Sequence, residues 1–259
     1  MTVVTNSGGQ CISAQNCGGL FGGLPAPASH YLVSYGTDLM EKARNRIVPA
    51  SIYDLTAERT VPLRAKSNGA PLDAGDVMEI RTGGGGGYGD PLEREPARVA
   101  RDVELGYTSL DAATSIYGVA LLSDGTLDGI ATEALRNKLR GERASWRASG
   151  VNDDSRRAPA TGEPSRRIHA YVAAVDQDGE RVLACDKCGH RYCGYSGDYK
   201  AAALMDETSA TIIPSNVDPA HFVDEPIVLR RFCCPSCYVQ VGAEVTKANE
   251  PVKAEMVFA

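Results

Sequence analysis

The sequence predicts an α+β protein in which a mixed part of strands and short helices is followed by a small β-rich part. In the first part, short apolar runs alternate with residues that begin and end helices. In the second part, short strands surround two Cys-x-x-Cys pairs, a spacing typical of metal-binding domains. A stretch of low hydrophobicity with two prolines and mixed charge separates the parts. We predict domains at residues 1–143 and 166–259, joined by a linker at 144–165.

Composition and charge narrow the class of protein. At 259 residues the chain is long enough for one large or two small domains. It carries 27 Lys and Arg against 33 Asp and Glu, which argues against a nucleic-acid partner because such partners require a basic surface. No apolar run approaches the roughly 18 residues that span a membrane, and the N-terminus does not resemble a signal peptide. The sequence predicts a cytoplasmic protein whose eight cysteines are reduced thiols or metal ligands.

The first strands follow a start that is rich in Gly, Ser, Pro and Asn. Residues 1–30 show no periodicity, and such loops usually connect elements inside a domain. We therefore expect the chain to begin in the middle of a fold. Strands are predicted at 31–35, 61–64 and 77–82. The charged run at 40–45 is compatible with a short helix or a solvated loop.

Helix signals dominate the next stretch. Asp90 and the proline after it predict a helix start, with the helix at 94–105 ending before a glycine. Further predicted elements are a helix at 110–117, a strand at 119–122 and a helix from Asp128 to about residue 139. The apolar residues of this last helix should share one side: Ile130, Ala131, Ala134, Leu135 and Leu139.

A glycine loop lies between these strands and helices. Glycine permits close backbone approach to a ligand or another chain. No Gly-Lys-Ser/Thr sequence follows, so the loop is not a Walker A phosphate loop. Two interpretations stay open: packing near an active-site entrance, or guidance of an anionic intermediate by the following helix N-terminus. Packing is favoured because the loop contains no lysine or arginine. The candidate residues are Gly83, Gly84, Gly85, Gly86, Gly87 and Tyr88.

The second part should be built of short strands. A turn signal at Asp176-Gln-Asp-Gly predicts a hairpin whose second strand leads into the first cysteine pair. His169, in the first of these strands, is expected to be an ordinary surface or packed residue. The predicted strands are 168–175, 181–184, 199–204, 209–213, 227–232, 238–245 and 252–258.

The cysteine pairs predict one structural zinc held by Cys185, Cys188, Cys234 and Cys237. A two-residue spacer lets both thiolates of a pair reach one ion at about 2.3 Å. Gly189 follows the first pair and permits the tight turn that a zinc knuckle requires. The 45 residues between the pairs exceed the gap of a compact zinc ribbon, so a strand and a loop should be inserted there.

Three nearby residues are reserve ligands: His190, Cys193 and Cys233. Neighbours in an extended chain point to opposite sides, so only one of Cys233 and Cys234 can face the metal. The Cys-Pro-Ser-Cys pattern favours Cys234, with Cys233 packed as a small apolar residue. Alternative interpretations of the cysteines are reduced, partly buried thiols or a redox pair.

Two groups of motifs resemble known families. The runs Gly19–Pro25, Asp76–Arg94 and Ala112–Val119 resemble the C-terminal end of hydantoinase B chains, in the order found in that family. Residues 168–245 resemble the small gamma subunit of acetone carboxylase. The residues that carry this second resemblance are Cys188-Gly-His190, Cys193, Tyr199-Lys200 and Arg231-Phe-Cys-Cys-Pro-Ser-Cys237. The spacing of the first cysteine pair departs from the gamma-subunit pattern.

Together these resemblances imply a fusion that belongs to a multi-subunit enzyme, and they imply that its first part completes the fold of a partner subunit. The implied enzyme is an ATP-dependent ketone carboxylase of the acetone or acetophenone type that uses bicarbonate. ATP and a divalent metal are then expected on hydantoinase A-type and B-type large subunits, and the ketone would be bound through the complex. The alternatives are a subunit of an ATP-dependent cyclic amide hydrolase (hydantoinase, 5-oxoprolinase or lactamase type) and a free-standing zinc module that binds a protein. The resemblance assigns no catalytic residue to this chain.

Overall fold

The computed structural model describes residues 2–6, 17–63, 66–150, 158–213, 219–221 and 223–256. These residues form helices and several antiparallel sheets, which confirms the α+β fold class. The chain divides into two compact units that alternate along the sequence. One unit comprises Met1–Cys17, Pro25–Gly85 and Ala210–Ile227, and the other comprises Gly18–Leu24, Gly86–Ser209 and Val228–Ala259. The predicted domain boundaries at residues 143 and 166 stay a prediction.

The first unit is built mainly of strands. A two-stranded sheet pairs β1 with β4, and a three-stranded antiparallel sheet has the order β3-β2-β5. Tyr31, Val33 and Leu63 form its buried core. The elements are β1 (Thr2–Asn6), β2 (His30–Tyr35), α1 (Leu39–Arg44), β3 (Arg59–Pro62), β4 (Lys66–Pro71) and β5 (Val77–Arg81), with a 3-10 turn at Ile52–Asp54.

The strands predicted at 31–35 and 77–82 are confirmed as β2 and β5. The strand predicted at 61–64 lies earlier, at Arg59–Pro62, because its register is set by pairing with β2 rather than by its own apolar residues. The expectation of no regular structure in residues 1–30 is wrong for β1, which pairs with a partner about 65 residues away along the chain. No local pattern announces such a pair.

Proline decides where the first helix of the second unit begins. Asp90 accepts a hydrogen bond from the Leu92 amide, as a cap does, but it starts only a 3-10 turn at Pro91–Glu93. Glu95 is extended because it precedes Pro96, which excludes a helix that starts at residue 94. The helices are α2 (Pro96–Glu104), α3 (Leu110–Ser115) and α4 (Gly129–Glu142), the last followed by a 3-10 turn at Arg143–Ser145.

The predicted caps of α3 and α4 are present, and two other predictions for this stretch are wrong. The side chains of Ser109 and Asp128 accept hydrogen bonds from amides in the first turns. Residues 119–122 form no strand, since Leu121 makes only a single bridge, to Leu127, across a tight turn. Ile130 does not face the core, because the buried position of α4 is Thr132 instead.

Two four-stranded sheets complete the second unit, with the orders β10-β9-β8-β7 and β13-β12-β11-β6. Their shared core consists of fully buried side chains, among them Leu183, Tyr192, Tyr199, Phe232 and Val241. The strands are β6 (Arg147–Ala148), β7 (Pro164–Arg167), β8 (Val172–Gln177), β9 (Glu180–Cys185), β10 (Arg191–Gly194), β11 (Leu204–Ser209), β12 (Ile227–Cys233) and β13 (Gln240–Lys247).

The predicted hairpin is confirmed as β8 and β9, and the strands around the second cysteine pair as β12 and β13. The strands predicted at 199–204 and 209–213 are wrong: 3-10 turns at Lys200–Ala202 and Ala210–Ile212 flank β11, which lies between the two predictions. Residues 252–256 form no strand, and the rest of the strand predicted at 252–258 lies outside the described residues.

Candidate metal centre and the segment packed against it

Four cysteine sulfurs converge where two strands end. Sγ of Cys185 lies 3.7 Å from Sγ of Cys237, and Sγ of Cys188 lies 3.7 Å from Sγ of Cys234. All four sulfurs lie within 4.8 Å of one another. A tetrahedron with metal–sulfur bonds of about 2.3 Å has edges of about 3.8 Å. The four cysteines therefore form a group that could hold a metal ion.

The first knuckle is the turn that carries Cys185 and Cys188, and a glycine permits its tight backbone conformation. The Gly189 amide donates to the Cys185 carbonyl at 2.8 Å, and the Cys185 amide donates to the His190 carbonyl at 2.8 Å. Gly189 has φ of +74°, a left-handed conformation that glycine adopts without a steric penalty. This is the role predicted for Gly189 from the sequence.

The second knuckle, the turn that carries Cys234 and Cys237, has the same backbone hydrogen bonds with a different residue at the turn. The Tyr238 amide donates to the Cys234 carbonyl at 3.0 Å, and the Cys234 amide donates to the Val239 carbonyl at 2.9 Å. Tyr238 has φ of +60°, a conformation that is uncommon for residues other than glycine. The second knuckle thus needs support that the first obtains from glycine.

The four thiols shift one another's pKa values. Hydrogen bonding from the Cys185 thiol lowers the pKa of Cys188 and of Cys237. Thiolate is the form that binds a metal. The donor set of four cysteines in tetrahedral proximity fits a structural zinc site.

The reserve ligands lie outside this group of four sulfurs. Cys233 is fully buried in the core, and burial raises the pKa of its thiol to about 12. His190 is half-buried, with its ring edge against Tyr192 at 5.5 Å between centroids. Cys193 lies on β10 and is not one of the four converging cysteines.

The second half of the glycine loop packs against another glycine-rich segment. The Leu20 amide donates to the Gly87 carbonyl, and the Gly87 amide donates to the Leu24 carbonyl, each at 2.8 Å. A Cβ on Gly23 would lie 1.9 Å from the Gly87 carbonyl oxygen, and a Cβ on Gly86 would lie 1.9 Å from the Gly18 carbonyl oxygen. We call residues 18–24 and 86–89 the glycine layer. Glycine is required here because two backbones touch.

The first half of the glycine loop, residues 83–85, is not packed against a second backbone in this way among the described residues. The Gly83 amide donates to the Ser29 hydroxyl at 3.3 Å. A Cβ on Gly84 or Gly85 would meet no atom of the described residues within 4 Å. Tyr88 is largely exposed. Among the described residues, close backbone contacts therefore constrain only the second half of the loop.

A buried ion pair links the glycine layer to the second knuckle. Nη1 and Nη2 of Arg143 donate to Oδ2 and Oδ1 of Asp90 at 2.6 and 2.9 Å. The Asp90 side chain is inaccessible to solvent, and that of Arg143 is 9% exposed. Oδ1 also accepts from the Leu92 amide at 3.0 Å, and Oδ2 from the Gln240 amide at 2.9 Å. The carboxylate thus accepts four hydrogen bonds, which fill its acceptor sites.

This ion pair, which we call the clamp, contacts the second knuckle directly and the glycine layer through Gln240. Nη1 of Arg143 also donates to the Tyr238 carbonyl at 2.8 Å. Nε2 of Gln240 donates to the Gly22 carbonyl at 2.6 Å. Sequence reasoning identified Asp90 only as a helix cap and missed Arg143, because the two lie 53 residues apart and a single sequence carries no signal of such pairs.

Comparison with known proteins separates the chain into two matched segments. Residues 1–91 match the hydantoinase B/oxoprolinase family, and residues 167–258 match the acetone carboxylase gamma subunit family. The chain combines segments of two families. We refer to them as the hydantoinase B segment and the gamma segment.

Individual relatives match stretches of different length. The caprolactamase subunit beta of Pseudomonas jessenii is 53% identical over 53 residues, which is 20% of this chain and 9% of that protein. The acetone carboxylase alpha subunit of Xanthobacter autotrophicus is 29% identical over 143 residues, 48% of this chain and 18% of that protein. A solved nucleotide-free acetone carboxylase structure is 28% identical with a TM-score of 0.38, and the match covers 48% of this chain and 18% of that one. The chain spans less than a fifth of the length of each of these proteins.

The clamp lies between the matched segments. Asp90 and the whole glycine layer belong to the hydantoinase B segment. Tyr238, Gln240 and the four cysteines belong to the gamma segment. Arg143 lies in the stretch between them. Among the described residues, none of the helices has the length and apolar composition needed to cross a membrane.

Proposed function

We propose that this chain is a subunit, itself not binding ATP, of an ATP-dependent ketone carboxylase of the acetone or acetophenone type that uses bicarbonate. The observation that carries the proposal is the presence of a hydantoinase B segment and an acetone carboxylase gamma segment in one chain. A relationship to an acetone carboxylase alpha subunit supports it. The role of the chain is structural: it supports assembly, while ATP, a divalent metal, the ketone and bicarbonate bind through partner subunits.

The metal in this proposal is zinc, held by Cys185, Cys188, Cys234 and Cys237. Four thiolate ligands satisfy the tetrahedral preference of zinc and leave no open position for a substrate. The ion would tie the end of β9 to the end of β12 and so hold the two sheets of the gamma segment together. Its contribution is to folding and not to the reaction.

The glycine loop has a packing role in this proposal. Gly86 and Gly87 are in backbone contact with residues 18–24, which leaves them no freedom to wrap around a phosphate. Gly83, Gly84, Gly85 and Tyr88 would lie near the active-site entrance or against a neighbouring subunit. The loop contains no lysine or arginine that could neutralise a phosphate.

The proposed partners are an ATP-binding subunit of hydantoinase A type and a large subunit of B type. The caprolactamase and acetone carboxylase subunits similar to this chain are more than five times longer than the stretches that match it. Exposed apolar side chains near α2 and α4, such as Tyr107 and Ile130, offer a surface for such a partner. We expect the complex to be cytoplasmic.

A second candidate function is a subunit of an ATP-dependent cyclic amide hydrolase. The 53% identity to a caprolactamase subunit over 53 residues favours it. A third candidate, a free-standing zinc module that binds a protein, has no specific observation in its favour. We favour the carboxylase because residues 167–258 match a carboxylase subunit family, whereas the identity to the caprolactamase subunit spans 53 residues.

An assay of the assembled complex tests the choice. The chain is purified with its co-expressed partner subunits, and ATP turnover is measured with acetone or acetophenone plus bicarbonate and with hydantoin, 5-oxoproline or caprolactam. The carboxylase proposal expects ATP hydrolysis that depends on both the ketone and bicarbonate, with incorporation of labelled bicarbonate into an acid-stable product. ATP-dependent opening of a cyclic amide with no effect of bicarbonate would establish the hydrolase instead.

A further inference from the structure

Tyr238 has a backbone conformation in the second knuckle that is unfavourable for a residue other than glycine. It occupies the position that Gly189 holds in the first knuckle, with φ of +60°. The left-handed conformation costs a non-glycine residue on the order of 1 kcal/mol, so the surroundings must hold it in place. The group that does so is the guanidinium of Arg143, which donates to the Tyr238 carbonyl.

Arg143 is itself held rigidly. Its bidentate pairing with Asp90 fixes the plane of the guanidinium and leaves Nη1 shared between the carboxylate and the Tyr238 carbonyl. A buried charge pair that loses one partner leaves an uncompensated charge, which is strongly unfavourable. The clamp is therefore either fully formed or substantially rearranged.

The clamp also reaches the glycine layer. Asp90 accepts from the Gln240 amide, and the Gln240 side chain donates to the Gly22 carbonyl. A Cβ on Gly22 would lie 2.2 Å from the Gln240 carbonyl oxygen, so these backbones are in contact. A continuous series of contacts thus runs from the second knuckle through the clamp to residues 18–24.

We propose that Asp90 and Arg143 are positioning residues for the metal centre, and that metal binding is thermodynamically coupled to the packing of the glycine layer. Because coupling between two sites is reciprocal, the metal should stabilise the layer and the layer with its clamp should raise the affinity for the metal. We expect the higher affinity to appear as slower metal release. This inference rests on the metal binding included in the proposed function. The gamma segment would then organise the part of the hydantoinase B segment that packs against it.

The test compares two clamp variants with a matched control in the full chain. Arg143→Lys keeps the charge but cannot make the bidentate pair, and Asp90→Asn keeps the shape but removes the charge. Arg140→Lys changes a similar residue whose ion pair with Glu93 is partly exposed. Zinc release into a chromophoric chelator is timed for each, and the absorption of the cobalt-substituted protein reports on thiolate ligation.

A second measurement follows amide hydrogen exchange with zinc and after chelation. The reporters are the Leu20, Gly87 and Gly89 amides, which are hydrogen-bonded within the glycine layer. The reference is β2, whose amides belong to the other compact unit. This measurement on the unmodified chain decides the inference even where a clamp variant fails to fold.

Coupling predicts about tenfold faster zinc release from both clamp variants, as expected for the loss of one charge-assisted hydrogen bond, and an unchanged rate for Arg140→Lys. Chelation should accelerate exchange in the glycine layer but not in β2. The inference would be overturned if folded clamp variants released zinc at the wild-type rate. It would also be overturned if chelation left hydrogen exchange in the glycine layer unchanged, or changed it equally in β2. Either result would leave the proposed zinc site standing. A wild-type chain that binds no metal would overturn both the proposed zinc site and the coupling.

Discussion

At the scale of single residues, the side of a strand from which a cysteine projects decides whether it packs in the core or joins the metal-binding group. Cys233 and Cys234 are neighbours, yet Cys233 ends β12 inside the core while Cys234 points to the other three cysteines. Alternation of side chains along extended backbone explains the difference. The Ser236 amide donates to Sγ of Cys234 at 3.5 Å.

The adjacent cysteines offer a matched pair of variants. Cys234→Ser should lose bound zinc and destabilise the gamma segment, because three thiolates hold the ion less tightly than four. Cys233→Ser should keep one zinc and cost stability only through a polar atom in the core. Metal analysis by mass spectrometry measures both. A full equivalent of zinc in Cys234→Ser would redirect the assignment to Cys193 or Cys233.

His169 predicts a pH effect on stability. Burial lowers the pKa of His169 to about 4, its Nδ1 accepts from the Tyr171 amide, and its ring stacks on Phe21. The unfolded chain, with a histidine pKa of about 6.5, binds the proton more readily. Stability from this residue is therefore complete above about pH 6.5 and is lost as the pH falls, by about 2 kcal/mol at pH 5.

Urea unfolding at pH 7 and pH 5 checks this. His169→Asn keeps an acceptor for the Tyr171 amide and does not titrate. The drop in unfolding free energy between the two pH values should be about 2 kcal/mol larger in the wild type than in this variant. Equal drops would show that His169 does not contribute.

At the scale of elements, glycine and proline set the boundaries. Pro96 places the start of α2 because the residue before proline must be extended. The glycines of the glycine layer instead allow two segments to touch where any side chain would collide. The same residue type in Gly84 and Gly85 meets no such contact among the described residues.

This difference predicts unequal effects of alanine within one loop. Gly86→Ala and Gly23→Ala should each destabilise the chain by about 2 kcal/mol or more, because the new methyl overlaps a backbone carbonyl. Gly85→Ala should leave thermal unfolding nearly unchanged, and Gly85→Val should act only through a partner. Thermal denaturation of the three alanine variants measures this.

In the assembled complex, the loop variants also distinguish packing from chemistry. Gly85→Val should weaken association with the B-type partner and lower activity as a consequence. Normal assembly with collapsed turnover at saturating ATP would assign the loop to the reaction.

At the scale of the whole molecule, exposed apolar residues indicate a partner. The stretch from the end of α2 to the start of α4 exposes Tyr107, Leu110 and Ile130 beyond half of their surface. Acidic residues such as Glu104 and Asp111 border them. A second copy of this chain would bring like charges together, whereas a partner with basic residues around an apolar face would be complementary.

We therefore predict that the chain depends on its partner. Expressed alone, it should be insoluble or partly unfolded, since strand edges and apolar surface stay exposed. Co-expression with the B-type subunit should yield a soluble complex, which Ile130→Lys should weaken while Ile212→Lys, an exposed residue elsewhere, should not. Size-exclusion chromatography with light scattering measures this, and a monodisperse monomer that unfolds cooperatively would contradict the prediction.

The cysteine group, several helix starts and one hairpin could be predicted from the sequence because they depend on residues that are close along the chain. Cys-x-x-Cys spacing, the caps at Ser109 and Asp128, and the hairpin turn before the first cysteine pair each act over a few residues, so their patterns are visible in the chain. Tertiary structure decided the rest. The pairing of β1 with β4, the clamp between Asp90 and Arg143, and the contact of two glycine segments join residues that lie far apart along the chain. Their energies depend on burial and on which backbones meet, and neither is encoded by spacing along the chain.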